Sequence, residues 1–284
     1  MSPPRGADIP ASDTEAVQAQ EPTLLALGGG GFTMEPTNPL LDDYVLSLSP
    51  AAEPRILFLP TASGDTTAQI HAFHTRFRDR LCVPEHLSLF RLGESRRQLQ
   101  EIVLEQDIVY VGGGSMRNLL AIWRAHELDR LLEQAWRTGV VLAGLSAGAM
   151  CWFQGGITTS SGPPAPMAGL GLLEGSLTVH ADGEPERLPV FLSSVRDGAL
   201  PGGWAVDDGV GLLFRGQRLE RVVSSRPGAG AQRVDQVAGE LVRHRLTPEL
   251  LGEHSSGALG GFDEDVQELR RVNRLRRGML GEGR

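Results

Sequence analysis

From Leu24 onward, short apolar runs alternate with stretches whose apolar residues recur at three- and four-residue spacing. The short runs suit strands and the longer spacing suits amphipathic helices, so the alternation predicts a parallel sheet wrapped by helices. Strands are expected at Leu24–Leu27, Ile56–Leu59, His86–Phe90, Ile108–Val111 and Val140–Ala143. Helices are expected around Ile70, Phe73, Phe77 and Leu81, around Leu99, Ile102 and Val103, and along Leu119 to Ala135. A Pro- and Gly-rich stretch from Gly162 to Pro166 predicts a loop. The pattern then turns to β at Leu177–Val179, Ala205–Val206, Val210–Phe214 and Leu219–Val223.

The expected fold class is therefore α/β: a mostly parallel central sheet flanked by helices, with extra β-structure in the C-terminal third. Residues 1–21 read as a flexible tail and 22–245 as the α/β domain. Residues 246–284 read as an extension carrying an amphipathic helix. There Val266, Leu269, Val272 and Met279 oppose Arg270, Arg271, Arg274, Arg276 and Arg277. Such a basic helix suits a solvated surface or a homodimer contact.

Composition removes several chemistries. All 27 basic residues are arginine, which excludes Schiff-base and lysine-base catalysis. A net charge of -8 argues against a dedicated nucleic-acid binder. Two cysteines, Cys82 and Cys151, are too few for a disulfide framework or a four-thiolate zinc site, and they suit a reducing cytoplasm. The start of the chain lacks a signal-peptide pattern, and no run approaches the roughly 20 apolar residues of a membrane span.

The stretch that carries chemistry is Gly144-Leu145-Ser146-Ala147-Gly148, with an apolar run before it and a helix expected over Ala149–Phe153. A nucleophilic serine has to be presented at a sharp strand-to-helix turn, and glycines two positions either side permit the close approach. The Ala147 N–H is the natural first oxyanion donor, and the Gly112-Gly113-Gly114 loop suits the second. Among seven histidines, His180 stands out because it ends an apolar strand and enters a polar loop, where open parallel sheets gather their active sites. Asp207 and Asp208, just past another short apolar run, offer the orienting carboxylate. In either case the acid follows the histidine, unlike the order of an α/β-hydrolase.

Taken together, LALGGGG, FLPTASGD, VYVGGGSMRNLL, GLSAGAMCWF, LGLLEGSLTVHADGEPER and AVDDGVGLLF resemble the peptidase E (aspartyl dipeptidase) family of serine peptidases, over roughly Leu24 to Val234. That family is related in fold to class I glutamine amidotransferases, a flavodoxin-like arrangement. The resemblance implies Ser146 as nucleophile, His180 as base and Asp208 as third member, where the family typically has glutamate. It also implies an oxyanion hole from Gly114 and Ala147, with Ser115 standing in place of the family's asparagine. Gly30 and Gly31 are expected at the substrate rim. Arg187 is expected either to clamp a substrate carboxylate or to pair with Glu184 or Glu186. The implied activity is hydrolysis of short peptides through an acyl-enzyme, with no cofactor and no metal.

Rival readings fit the residues less well. A cyanophycinase-like hydrolase shares the chemistry but needs a wide groove. A dinucleotide site is poorly matched, because Thr33 occupies the place of the last glycine in the Gly28–Thr33 string. A metal hydrolase would have only His71 and His74 as a spaced pair. A catalytically silent binding module of the same fold would not need the retained serine, histidine and acid.

Overall fold

The computed structural model describes residues 21–94 and 97–252. The terminal basic helix expected near Val266 to Met279, and residues 1–20 of the expected tail, lie outside the described residues.

In chain order the strands are β1 (Thr23–Leu27), β2 (Arg55–Leu59), β3 (Val83–His86), β4 (Ile108–Val111), β5 (Val141–Leu145), β6 (Phe153–Thr158) and β7 (Ala165–Ala168). They continue as β8 (Leu173–Thr178), β9 (Gly203–Val206), β10 (Val210–Arg215), β11 (Arg218–Ser224), β12 (Ala231–Val237), β13 (Glu240–Leu246) and β14 (Glu249–Leu250). The α-helices are α1 (Gly31–Met34), α2 (Leu40–Ser47), α3 (Thr67–Phe77), α4 (Leu99–Leu104), α5 (Met116–Ala125), α6 (Leu128–Arg137), α7 (Ala147–Met150) and α8 (Arg187–Arg196).

Two sheets form. The first runs β14-β11-β10-β1-β5-β4-β2-β3, and its five strands from β1 to β3 are mutually parallel. Alternate residues of those strands feed the two faces, as the twofold strand period requires. Leu24, Ala26, Leu57, Leu59, Val109 and Val111 pack on one side, and Leu25, Leu27, Ile56, Phe58, Ile108 and Tyr110 on the other. Helices α4, α5 and α6 cover the first side, while α1, α2 and α3 cover the second. There Phe32 meets Phe58, Phe73 and Tyr110 edge to face, the geometry that ring quadrupoles favour.

The second sheet, β13-β12-β9-β8-β6-β7, is built around parallel β6, β8 and β9. It begins at Phe153, shortly after Ser146 and well before the C-terminal third where extra strands were expected. Helix α8 covers it through Phe191 and Val195, against Ile157, Leu200, Ala205 and Val234. No helix among the described residues is long and apolar enough to cross a membrane.

Three boundaries differ from expectation. The third strand covers Val83–His86 rather than His86–Phe90, and Leu89–Glu94 winds into a 3₁₀ segment. Pro84 disguises that strand, yet β3 is an edge of the sheet, where proline's missing N–H costs no ladder bond. The same reason admits Pro166 to edge strand β7, so Ala165 and Pro166 are not loop. Finally, β14 pairs with β11, which carries the first sheet past the expected domain end at residue 245.

Candidate active site

Strand β5 ends at Leu145, and the chain turns so sharply that Ser146 adopts φ 54°, ψ -116°, a region L-residues rarely occupy. Flanking glycines make the turn feasible. A Cβ on Gly144 would overlap the Gly148 carbonyl, and one on Gly148 would come within 2.8 Å of the Gly112 carbonyl. The Ser146 N–H donates to Leu27 O at 3.1 Å, tying the turn to the end of β1. The helix that follows is a single turn, Ala147–Met150, and Phe153 already belongs to β6, so the expected helix over Ala149–Phe153 is corrected. Trp152 and Phe153 are drawn into the core beside Trp123, Trp204 and Phe214, and this packing outweighs helix continuation. With so short a helix, support for an oxyanion comes from individual N–H groups more than from a summed dipole.

Strand β8 delivers the histidine. His180 follows its end with φ 54°, and its ring Nε2 lies 2.8 Å from Ser146 Oγ. Strand β9 delivers the acid: Asp208 Oδ1 lies 2.5 Å from His180 Nδ1. Both His180 and Asp208 are buried, at 9% and 8% exposure, while Ser146 is half-buried at the opening. The neighbouring Asp207 turns away and accepts the Gly230 N–H at 2.9 Å. Burial pushes the Asp207 carboxyl above its usual range, and the nearby Asp182 and Asp208 charges add to that. The line from hydroxyl through imidazole to carboxylate therefore runs through Asp208.

Gly114 has φ 140° and packs on the Ala62–Ser63 backbone, while a Cβ on Gly113 would lie 3.3 Å from Ser146 Cβ. Gln69 Nε2 steadies this loop by donating to Gly113 O at 3.3 Å, and Ser115 caps α5 by accepting the Asn118 N–H at 3.2 Å. Among the described residues, neither the Gly114 nor the Ala147 N–H donates to an acceptor of the chain.

Comparison with known proteins places this geometry in a lineage. The model for peptidase family S51 matches residues 24–222. The chain belongs to peptidase family S51. Over 229 residues, 81% of this chain and 99% of the relative, it is 47% identical to the "uncharacterized peptidase YgaJ" of Bacillus subtilis strain 168. Two crystal structures share the fold. A peptidase from an acI-B1 Actinobacterium superposes with TM-score 0.63 at 18% identity, over 81% of this chain and 96% of that one. A candidate peptidase E protein from Listeria monocytogenes EGD-e superposes with TM-score 0.51 at 16% identity, over 80% of this chain and 100% of that one. Membership of family S51 makes the chain a peptidase by relationship.

Within this S51 chain, Gly30 and Gly31 pack against groups of the protein, and Arg187 takes the second of the two places expected for it, beside Glu184. Gly31 backs onto buried Tyr110 and Asp42, and Gly30 faces Glu35, Leu41 and Gly209. Of the four glycines after β1, the one that borders the Ser146–His180–Asp208 line is Gly29, whose absent side chain leaves room for Asp208 and His180. Arg187 is 4% exposed and forks onto Glu184, with Nε to Oε2 at 2.6 Å and Nη2 to Oε1 at 3.2 Å. Its Nη1 donates to Ile157 O at 2.7 Å and its Nη2 to Thr159 Oγ1 at 3.3 Å. The guanidinium thus ties the loop after His180 to the end of β6.

Cys151 lies fully buried, donates its thiol to Gly148 O at 3.3 Å, and is held well above its usual thiol range by burial. It is part of the packed core behind the serine. His74, singled out beside His71, meets His86 at 2.9 Å instead.

Proposed function

We propose that this S51 member is a serine peptidase that hydrolyses short peptides through an acyl-enzyme on Ser146. The observation that carries the reading is the continuous line of Ser146 Oγ, His180 Nε2, His180 Nδ1 and Asp208 Oδ1, with contacts of 2.8 and 2.5 Å. In the proposed reaction Ser146 Oγ attacks the scissile carbonyl as His180 Nε2 takes its proton. Asp208 keeps the other ring nitrogen protonated, which leaves Nε2 free to accept, and it stabilises the imidazolium that results. The Gly114 and Ala147 N–H groups receive the oxyanion. His180 then protonates the departing amine, and water releases the acyl group by the reverse sequence.

Short peptides are the proposed substrates because of the resemblance to dipeptidases. The engagement of Arg187 with Glu184 weighs against carrying over a strict requirement for an N-terminal aspartate.

A fluorophosphonate should label Ser146, located by mass after digestion, and Ser146→Ala should abolish both labelling and turnover while leaving the fold intact. A dipeptide panel varied at the first position, compared by kcat/KM, then defines preference. Undiminished turnover in the Ser146→Ala protein would overturn the proposal.

A further inference from the structure

We infer that Asp182 is a positioning residue that holds the backbone of Asp208 so that its carboxylate reaches His180. The inference rests on the serine-peptidase reading above. Asp182 lies two residues after His180, and its Oδ1 accepts the Asp208 N–H at 2.8 Å. Asp208 in turn accepts from His180 Nδ1. Base, linker, Asp182 and acid thereby form a closed ring, in which the loop carrying the histidine grips the backbone of the residue that orients it.

Aspartate has only two side-chain torsions, so the place of its carboxylate follows closely from the place of its backbone. Anchoring the Asp208 N–H therefore anchors its oxygen. Among the described residues that N–H has Asp182 as its acceptor, so losing the acceptor removes the anchor of the Asp208 backbone. Two more bonds keep the gripping loop in register: Ala181 N–H to Val206 O at 3.1 Å, and Glu184 N–H to His180 O at 2.8 Å. Gly183 completes the fit, since a Cβ there would lie 3.3 Å from Asp208 Oδ2.

Asp182 is exposed, so changing it opens no cavity. The rate of fluorophosphonate labelling at Ser146 tests the inference without knowledge of the substrate. Asp182→Ala should label about tenfold more slowly, in line with loss of one hydrogen bond to an acid. Its downfield proton resonance from His180 Nδ1–H should broaden by exchange with water. Asp182→Asn keeps the acceptor and removes the charge, and it should restore both readouts to within about threefold of the unmodified protein. Should Asp182→Ala melt early by circular dichroism, Asp182→Ser, whose hydroxyl is too short to reach, takes its place. Wild-type labelling and an intact resonance in the Ala or Ser variant would overturn the inference. So would an Asn variant as slow as Ala, which would point to the charge, for example toward a substrate ammonium. Failure of the unmodified protein to label at all would instead sink the serine-peptidase reading.

Discussion

Gly29 and Asp208 face each other so closely that a methyl group on the glycine would overlap the aspartate's Oδ1 and come within 2.9 Å of His180 Nδ1. The end of β1 thus forms one wall of the slot that receives the acid, although it supplies no side chain to it.

Gly29→Ala should therefore displace the acid and the imidazole together. A misplacement of about 1 Å can cost roughly 100-fold in rate, and a loss of at least that size is expected here. Peptide hydrolysis by the purified variant, compared with its melting temperature, checks this. Near-normal kcat would mean the loop moves aside.

His180→Ala should lower turnover by roughly 10⁴-fold or more, as removal of a triad base does elsewhere. Asp208→Asn should approach the same loss, because an amide in that slot favours the wrong imidazole tautomer. Asp207→Asn should leave the rate within about threefold, since its carboxylate serves Gly230 and not the imidazole. Steady-state kinetics on the three variants would separate the two adjacent acids, and a larger effect at Asp207 than at Asp208 would reverse the assignment.

Arg187→Met should destabilise the protein by about 2 kcal/mol, between the values for exposed and buried pairs, because Arg187 is 4% exposed and Glu184 is 43% exposed. Its kcat should fall with the loosened histidine loop while KM changes little. A raised KM at unchanged stability, measured by urea unfolding beside the kinetics, would return Arg187 to the substrate side.

Asp42 predicts a pH dependence of stability. It is fully buried behind the glycine loop, and burial pushes its carboxyl up to about 7 despite Arg76 Nε at 2.8 Å and the Tyr110 hydroxyl at 3.2 Å. Between about pH 4 and 7 the folded chain keeps a proton that the unfolded chain has released. This contribution is thus complete below about pH 4 and is lost as pH rises through 7. Asp42→Asn lacks the proton and should lack the slope. Urea unfolding at pH 5 and pH 8 should show the wild type losing stability relative to the variant, and a constant difference would contradict it.

Much of this was legible in the sequence. Four of the five parallel strands of the first sheet announce themselves by apolar runs, and Ser146 by glycines that only a sharp turn explains. His180 could be found because a polar loop follows an apolar strand. What could not be read depended on partners far along the chain. Four consecutive glycines look alike until β10 and the acid loop fix which one borders the carboxylate, and it is Gly29, not Gly30 or Gly31. Asp207 and Asp208 are equivalent in a string, and only Gly230 distinguishes them. Strands β3 and β7 were obscured by prolines that edge positions tolerate. Helix α8 was missed because Pro189 interrupts its pattern, yet that residue lies in its first turn, where no N–H partner is lost.

The hydroxyl comes from one sheet, whereas the imidazole and the carboxylate come from the ends of two strands in the other. Reactivity at Ser146 is therefore a gauge of how the two layers are docked. Mild denaturant that lets them slip should silence the serine while circular dichroism still records both sets of strands, so inactivation would precede melting.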